Sequence, residues 1–146
     1  MLFILFQIGT GRFALEATRI TEVLPLMSVR PLPQAPAGVT GVLSYRGAPL
    51  PVIDLSQLVL GQPAQPRLST RILVVTCAGG KHVGLIAERA NETLRREPTE
   101  FADTGVALPG APYLGPVTQD PRGFVQRVDP EKLISLASLQ AIEEAA

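Results

Sequence analysis

Apolar residues along this chain fall into short runs separated by glycine, proline and polar clusters. The runs cover residues 2–8, 41–45, 50–55, 71–77, 82–87 and 113–117 and are rich in valine, isoleucine and leucine. Their lengths and composition predict strands. Their spacing favours a barrel or sandwich over a parallel sheet with long crossover helices, so the chain reads as mostly β. Ala78-Gly79-Gly80-Lys81, Asp120-Pro121-Arg122-Gly123 and Tyr45-Arg46-Gly47-Ala48-Pro49 each sit between two runs. All three predict hairpin turns, since glycine accepts the positive φ that a tight turn demands. Pro49 and Pro51 lack the N–H a ladder needs, which places their strand at an edge or a bulge.

Two helices are expected. Over residues 16–23, Ala17, Ile20 and Val23 recur at helical spacing, predicting a short surface-packed N-terminal helix or a turn before Pro25. Near the other end Asp129 precedes Pro130 and Glu131, the signature of a capped helix start, and Leu133, Leu136, Ala137 and Leu139 supply its apolar face. Residues 61–70, with Pro63 and Pro66, read as a linker between two halves, and residues 96–112 as a long mobile loop. Residues 41–60 and 113–139 share a strand, turn, strand, helix rhythm without repeating their sequence.

Composition narrows the function classes. At 146 residues and 46% apolar, the chain is one soluble domain, with room for a pair of small cores. A chain this long removes roughly 68% of its unfolded surface from water and needs no metal or disulfide to fold. Cys77 is the only cysteine and His82 the only histidine, so the common zinc-ligand spacings cannot be built, and no cofactor or metal is expected. Thirteen basic residues balance thirteen acidic ones, leaving no net field for nucleic acid. The opening MLFILFQI lacks the basic lead-in of a signal peptide and is shorter than the ~20 residues of a membrane span. A buried strand and a cytoplasmic location are the expectation.

One segment is recognisable. Leu32-Pro33-Gln34-Ala35-Pro36-Ala37-Gly38-Val39-Thr40-Gly41-Val42-Leu43-Ser44-Tyr45-Arg46-Gly47-Ala48-Pro49-Leu50-Pro51-Val52-Ile53-Asp54-Leu55 strongly resembles the CheW family of bacterial chemosensory coupling proteins. That family runs a proline-containing turn, a Gly-Val-x-Asn-Leu-Arg-Gly strand and turn, then x-Pro-Val-x-Asp-Leu. Arg71-Ile72-Leu73-Val74-Val75, Val83-Gly84-Leu85-Ile86 and Tyr113-Leu114-Gly115 resemble its later strands, in the same order. The resemblance implies two intertwined SH3-like five-stranded β-barrels. It also implies a non-enzymatic adaptor binding the cytoplasmic tip of a methyl-accepting chemoreceptor and the regulatory domain of a CheA-type histidine kinase, reaching the membrane only through receptors. The receptor-facing residues carried over are Ile20, Glu22, Gly41, Arg46, Gly84 and Gly115, with Gly47 shaping the turn that presents Arg46. Glycines there would let a partner helix approach the sheet closely, and an arginine on a turn offers a fork of donors.

The chain also departs from the pattern. Ser44-Tyr45 replaces Asn-Leu, Glu88-Arg89-Ala90 stands where Asp, a variable residue and Val are usual, and Asn91-Glu92-Thr93 and Gln126-Arg127 put polar residues at normally apolar places. These departures imply a specialised paralogue of a surface-sensing (Wsp-type) or pilus-linked pathway. Two other classes stay open at this level. Cys77 and His82 flank one turn and would make a thiol–base pair in a small enzyme. A small barrel can also bind nucleic acid, although only Tyr45 and Tyr113 are available as tyrosines for stacking, tryptophan is absent and the arginines are dispersed.

Overall fold

The computed structural model describes residues 1–106 and 108–137. Nine strands and two helices follow in the order β1 (Leu2–Ile8), β2 (Gly11–Glu16), β3 (Ile20–Pro25), β4 (Val39–Tyr45), β5 (Ala48–Asp54), α1 (Leu55–Leu60), β6 (Arg71–Thr76), β7 (His82–Arg95), β8 (Leu114–Asp120), β9 (Gly123–Val128) and α2 (Pro130–Leu136). β7 organises them. Its first half lies between β6 and β5, in the strand order β3-β6-β7-β5-β4, and its second half starts the order β7-β1-β2-β9-β8.

Each five-stranded sheet curls until its ends meet. Beyond β3, Arg30 and Val42 exchange backbone hydrogen bonds of 2.8 and 2.9 Å, and beyond β7, Ala102 and Val117 do the same at 2.8 and 2.9 Å. Closure leaves no long free edge. The second barrel repeats the first as a circular permutation: β8, β9 and α2 stand for β4, β5 and α1, while β1 and β2 stand for β6 and β7. The mostly β reading with two five-stranded barrels therefore holds, and so does the shared rhythm of residues 41–60 and 113–139 as far as it is described.

The near-continuous apolar runs are explained by burial on both faces. On β6, Ile72 and Val74 enter the first barrel's interior, whereas Leu73 and Val75 join the core between the barrels. On β1, Phe3 and Leu5 fill the second barrel, whereas Phe6 and Ile8 face that same central core. The central core is the largest of the three, which makes the two barrels one packed body.

Both helices start at an aspartate. Asp54 accepts hydrogen bonds from the N–H groups of Ser56 and Gln57, and Gly61 ends α1 at φ 75°. Its other oxygen accepts from the Ala64 N–H at 2.9 Å, anchoring the chain after the helix. Asp129 caps α2 through the Glu131 N–H, with Pro130 at the first helical position, as expected.

Several expectations are corrected. Residues 16–23 form a single 3₁₀ turn, Ala17–Arg19, followed by strand β3, rather than a helix. Thr18, Ile20, Thr21 and Val23 are β-branched, and β6 offers Val23 and Leu24 a ladder. Residues 61–70 do not separate the barrels, because they join α1 to β6, and β5 and β6 lie in the same sheet. The chain crosses between the barrels at Ala17–Arg19, from β2 to β3, and again inside β7. In the 96–112 loop, Phe101 packs on Phe3 with ring centroids 5.2 Å apart, beside the closing bridge at Ala102. On α2 the buried face is Leu133, Ile134 and Ala137, while Leu136 is exposed and Leu139 lies outside the described residues. Pro49 and Pro51 do sit on a one-sided stretch: β5 meets β7 only from Val52 onward.

Candidate interaction surface

The β4–β5 hairpin turns through Arg46 at φ 50° and Gly47 at φ 79°. Positive φ at both central residues is the two-residue turn that matches strand twist, and Gly47 adopts it without strain. The turn projects Arg46, whose side chain is 66% exposed yet held on two sides. Its Nη2 donates to Glu22 Oε1 at 3.1 Å, and its guanidinium lies 5.1 Å from the centre of the Tyr45 ring. The Tyr45 hydroxyl donates to the same Glu22 oxygen at 2.7 Å, and the His82 ring meets Tyr45 at 6.2 Å. The hydrogen bond to Glu22, with a smaller effect of desolvation, pushes the Tyr45 phenol above its ordinary value.

Glu22 thus reaches Arg46 from β3, not from a helix. Strand geometry sends Glu22 to the barrel end where the hairpin sits, whereas Ile20 packs against the central core. The remaining predicted positions separate from this cluster. Gly41 is buried at φ 150°, and a Cβ there would meet the Arg30 carbonyl oxygen at 1.9 Å. Gly84 is buried too, and a Cβ would meet Ile72, Leu50 and Val52 inside the barrel. At Gly115 the Arg127 carbonyl oxygen would be 3.0 Å away. In each case atoms of the chain itself lie where a Cβ would stand. Gly115 lines a polar pocket of about 340 Å³ with Glu16, Arg19, Arg127 and Glu131, on the second barrel's side of the molecule.

The sequence marks Tyr45 as a departure from the family pattern, a turn residue and a stacking candidate, and does not show that it joins Glu22 to Arg46. Nor does it show a counterpart: Arg122 on the β8–β9 turn pairs with Glu92 on β7, the positions that the circular permutation maps onto the Arg46 turn and β3. The shared rhythm of the two halves was the available signal.

The thiol–base pair does not form. Alternation along β6 and β7 turns Cys77 toward the central core and His82 toward Tyr45, on opposite faces of the sheet. Burial, with a smaller effect of Glu131, raises the Cys77 thiol further from the reactive thiolate. Among the described residues Arg12, Arg19, Arg67, Arg122 and Arg127, like Arg46, are each paired with a carboxylate, the reverse of the free basic surface that nucleic acid requires. Among the described residues no cluster of His, Cys, Asp and Glu fits a metal ion, and no helix is long and apolar enough to cross a membrane.

This arrangement of barrels has relatives. A scaffolding protein CheW from Thermoanaerobacter tengcongensis superposes with a TM-score of 0.80 at 18% identity, covering 90% of this chain and 86% of that one. The chemotaxis protein CheW of Rhizobium meliloti is 30% identical over 91 residues, 62% of this chain and 58% of the relative. The protein FrzA of Myxococcus xanthus is 33% identical over 86 residues, 59% of this chain and 53% of the relative. These two matches therefore span little more than half of each relative's length. Treponema pallidum CheW is 24% identical over 142 residues, 94% of this chain and 84% of that protein. The CheW-like domain model matches residues 2–138, nearly the whole sequence, and the chain belongs to the CheW-like domain family.

Proposed function

We propose that this chain is a non-enzymatic adaptor that couples methyl-accepting chemoreceptors to a CheA-type histidine kinase in chemosensory signalling. Family membership and the names of the relatives support the coupling role. The observation that carries the receptor-facing assignment is the hairpin at Arg46: an arginine 66% exposed but fixed on Glu22 and Tyr45 has little freedom left to lose when a partner docks. Only one of its hydrogen-bond donors is engaged by Glu22, so the others remain for a carboxylate or carbonyl oxygen of a receptor helix. Arg46, Glu22 and Gly47 form the receptor-facing set in this reading. The kinase regulatory domain takes a separate face. Tyr45 in place of leucine supports a specialised member, of a surface-sensing or pilus-linked pathway.

The test is binding of a soluble receptor cytoplasmic fragment, measured by titration calorimetry. Arg46→Glu is expected to weaken it roughly tenfold, the loss typical of reversing a well-placed interface charge, with an unchanged circular dichroism spectrum. Unaltered affinity in that variant would overturn the assignment. Failure of a receptor and a histidine kinase to co-purify with the chain from its native cell would overturn the coupling role.

A further inference from the structure

We infer that Tyr45 is a positioning residue that presents Arg46 to the receptor, a role the family's usual leucine cannot fill. The inference rests on the reading that Arg46 faces a receptor. Three observations carry it. Tyr45 precedes Arg46 on the turn, and its ring underlies the guanidinium at 5.1 Å, the arrangement in which an aromatic face attracts a cation. Its hydroxyl and Arg46 Nη2 converge on one oxygen, Glu22 Oε1, at 2.7 and 3.1 Å, so the carboxylate aligns both groups. Behind the ring, His82 at 6.2 Å and the partly buried contact with the first barrel's core fix the tilt of the phenol.

Leucine at position 45 would keep the core contact but offer neither a π face nor a donor. Arg46 would then be held by a single exposed ion pair with Glu22, and such pairs constrain a long side chain weakly. Tyr45 adds a second and a third constraint, narrowing the directions in which the free donors point. Glu22 is accordingly the inner anchor of a clamp, with Arg46 as its outer, receptor-touching member.

The experiment is a double-mutant cycle on binding of the receptor cytoplasmic fragment, with nuclear magnetic resonance of ¹³C-labelled tyrosine as an independent signature. Tyr45→Phe is expected to weaken binding roughly threefold and Tyr45→Leu roughly tenfold, as one and then both contacts to charged neighbours are removed. In an Arg46→Ala background neither substitution should cost anything more, because a positioning residue acts only through the group it holds. Glu22→Gln should return the Tyr45 titration toward that of an ordinary phenol, an effect that a purely packing role for Tyr45 would not produce. Full additivity with Arg46→Ala would overturn the inference, as would wild-type binding by both Tyr45 variants. If Arg46→Ala itself binds normally, the receptor reading of the hairpin falls and the positioning role with it. If Arg46→Ala is impaired while both Tyr45 variants bind normally, only the positioning role falls. Tyr45→Phe preserves the ring, so it keeps the test readable if Tyr45→Leu fails to fold.

Discussion

Gly41 shows how one residue closes a barrel. Its φ of 150° disfavours any side chain, and its missing Cβ is the space through which the Arg30 carbonyl reaches Val42. Gly41→Ala should therefore lose about 3 kcal/mol or more, combining backbone strain with displacement of the closing bridge, as read from urea unfolding. Arg89 presents the opposite case: it sits exposed inside β7 at φ 50°, where an arginine is strained and glycine is not. Arg89→Gly should stabilise the fold by about 0.5 to 1 kcal/mol, after subtracting the greater chain entropy of glycine, visible as a higher urea midpoint at unchanged slope. Arg46 and Gly47 were legible at this scale because a turn motif declares itself locally. The burial of Gly41 and Gly84 was not, since which strand packs over a glycine depends on residues far along the chain.

The two capped helices allow a comparison between elements. Asp54 is buried and accepts three backbone hydrogen bonds, from Ser56, Gln57 and Ala64, whereas Asp129 accepts one, from Glu131. Asp54→Ala should cost about 2 kcal/mol and Asp129→Ala about 1 kcal/mol, the upper and middle of the range for lost caps. Equal losses in chemical denaturation would mean that the additional bonds from Gln57 and Ala64 contribute nothing. α2 was readable from its Asp-Pro-Glu start. α1 carries an equivalent start and a glycine stop, and the sequence shows it as the last step of the strand, turn, strand, helix rhythm of residues 41–60. β3 was misread because a spacing of three fits a helix over so few residues, and only the partner strand β6 distinguishes the alternatives.

Across the whole molecule, the ion pair of Arg12 with Asp120 ties β2 to the end of β8 through two hydrogen bonds of 2.7 and 2.6 Å. The Arg12 guanidinium lowers the Asp120 carboxyl from an ordinary 3.8 to about 2. The folded state therefore favours the ionised acid. The stabilisation is fully present above the ordinary carboxylate range and is lost as pH falls toward about 2. Asp120→Asn should lower stability at neutral pH and flatten its fall between about pH 4 and 2, checked by thermal melts across that interval. The shared strand β7 and the central core also predict one cooperative transition. Amides of β1, β6 and β7 should exchange only on global unfolding, whereas earlier exchange of one whole barrel would contradict this coupling.

By itself the amino-acid order determined the short strands, their three hairpin turns, the capped C-terminal helix and a family likeness centred on Arg46. Those features depend on neighbours along the chain, through backbone preference and alternation. Tertiary structure alone decided that β1 completes the second barrel, that β7 serves both, and that Glu22, Tyr45 and Arg46 meet at one carboxylate oxygen. The reason is that strand pairing and side-chain convergence join residues distant in sequence. Their energy comes from sealing apolar faces against each other, which local patterning does not specify.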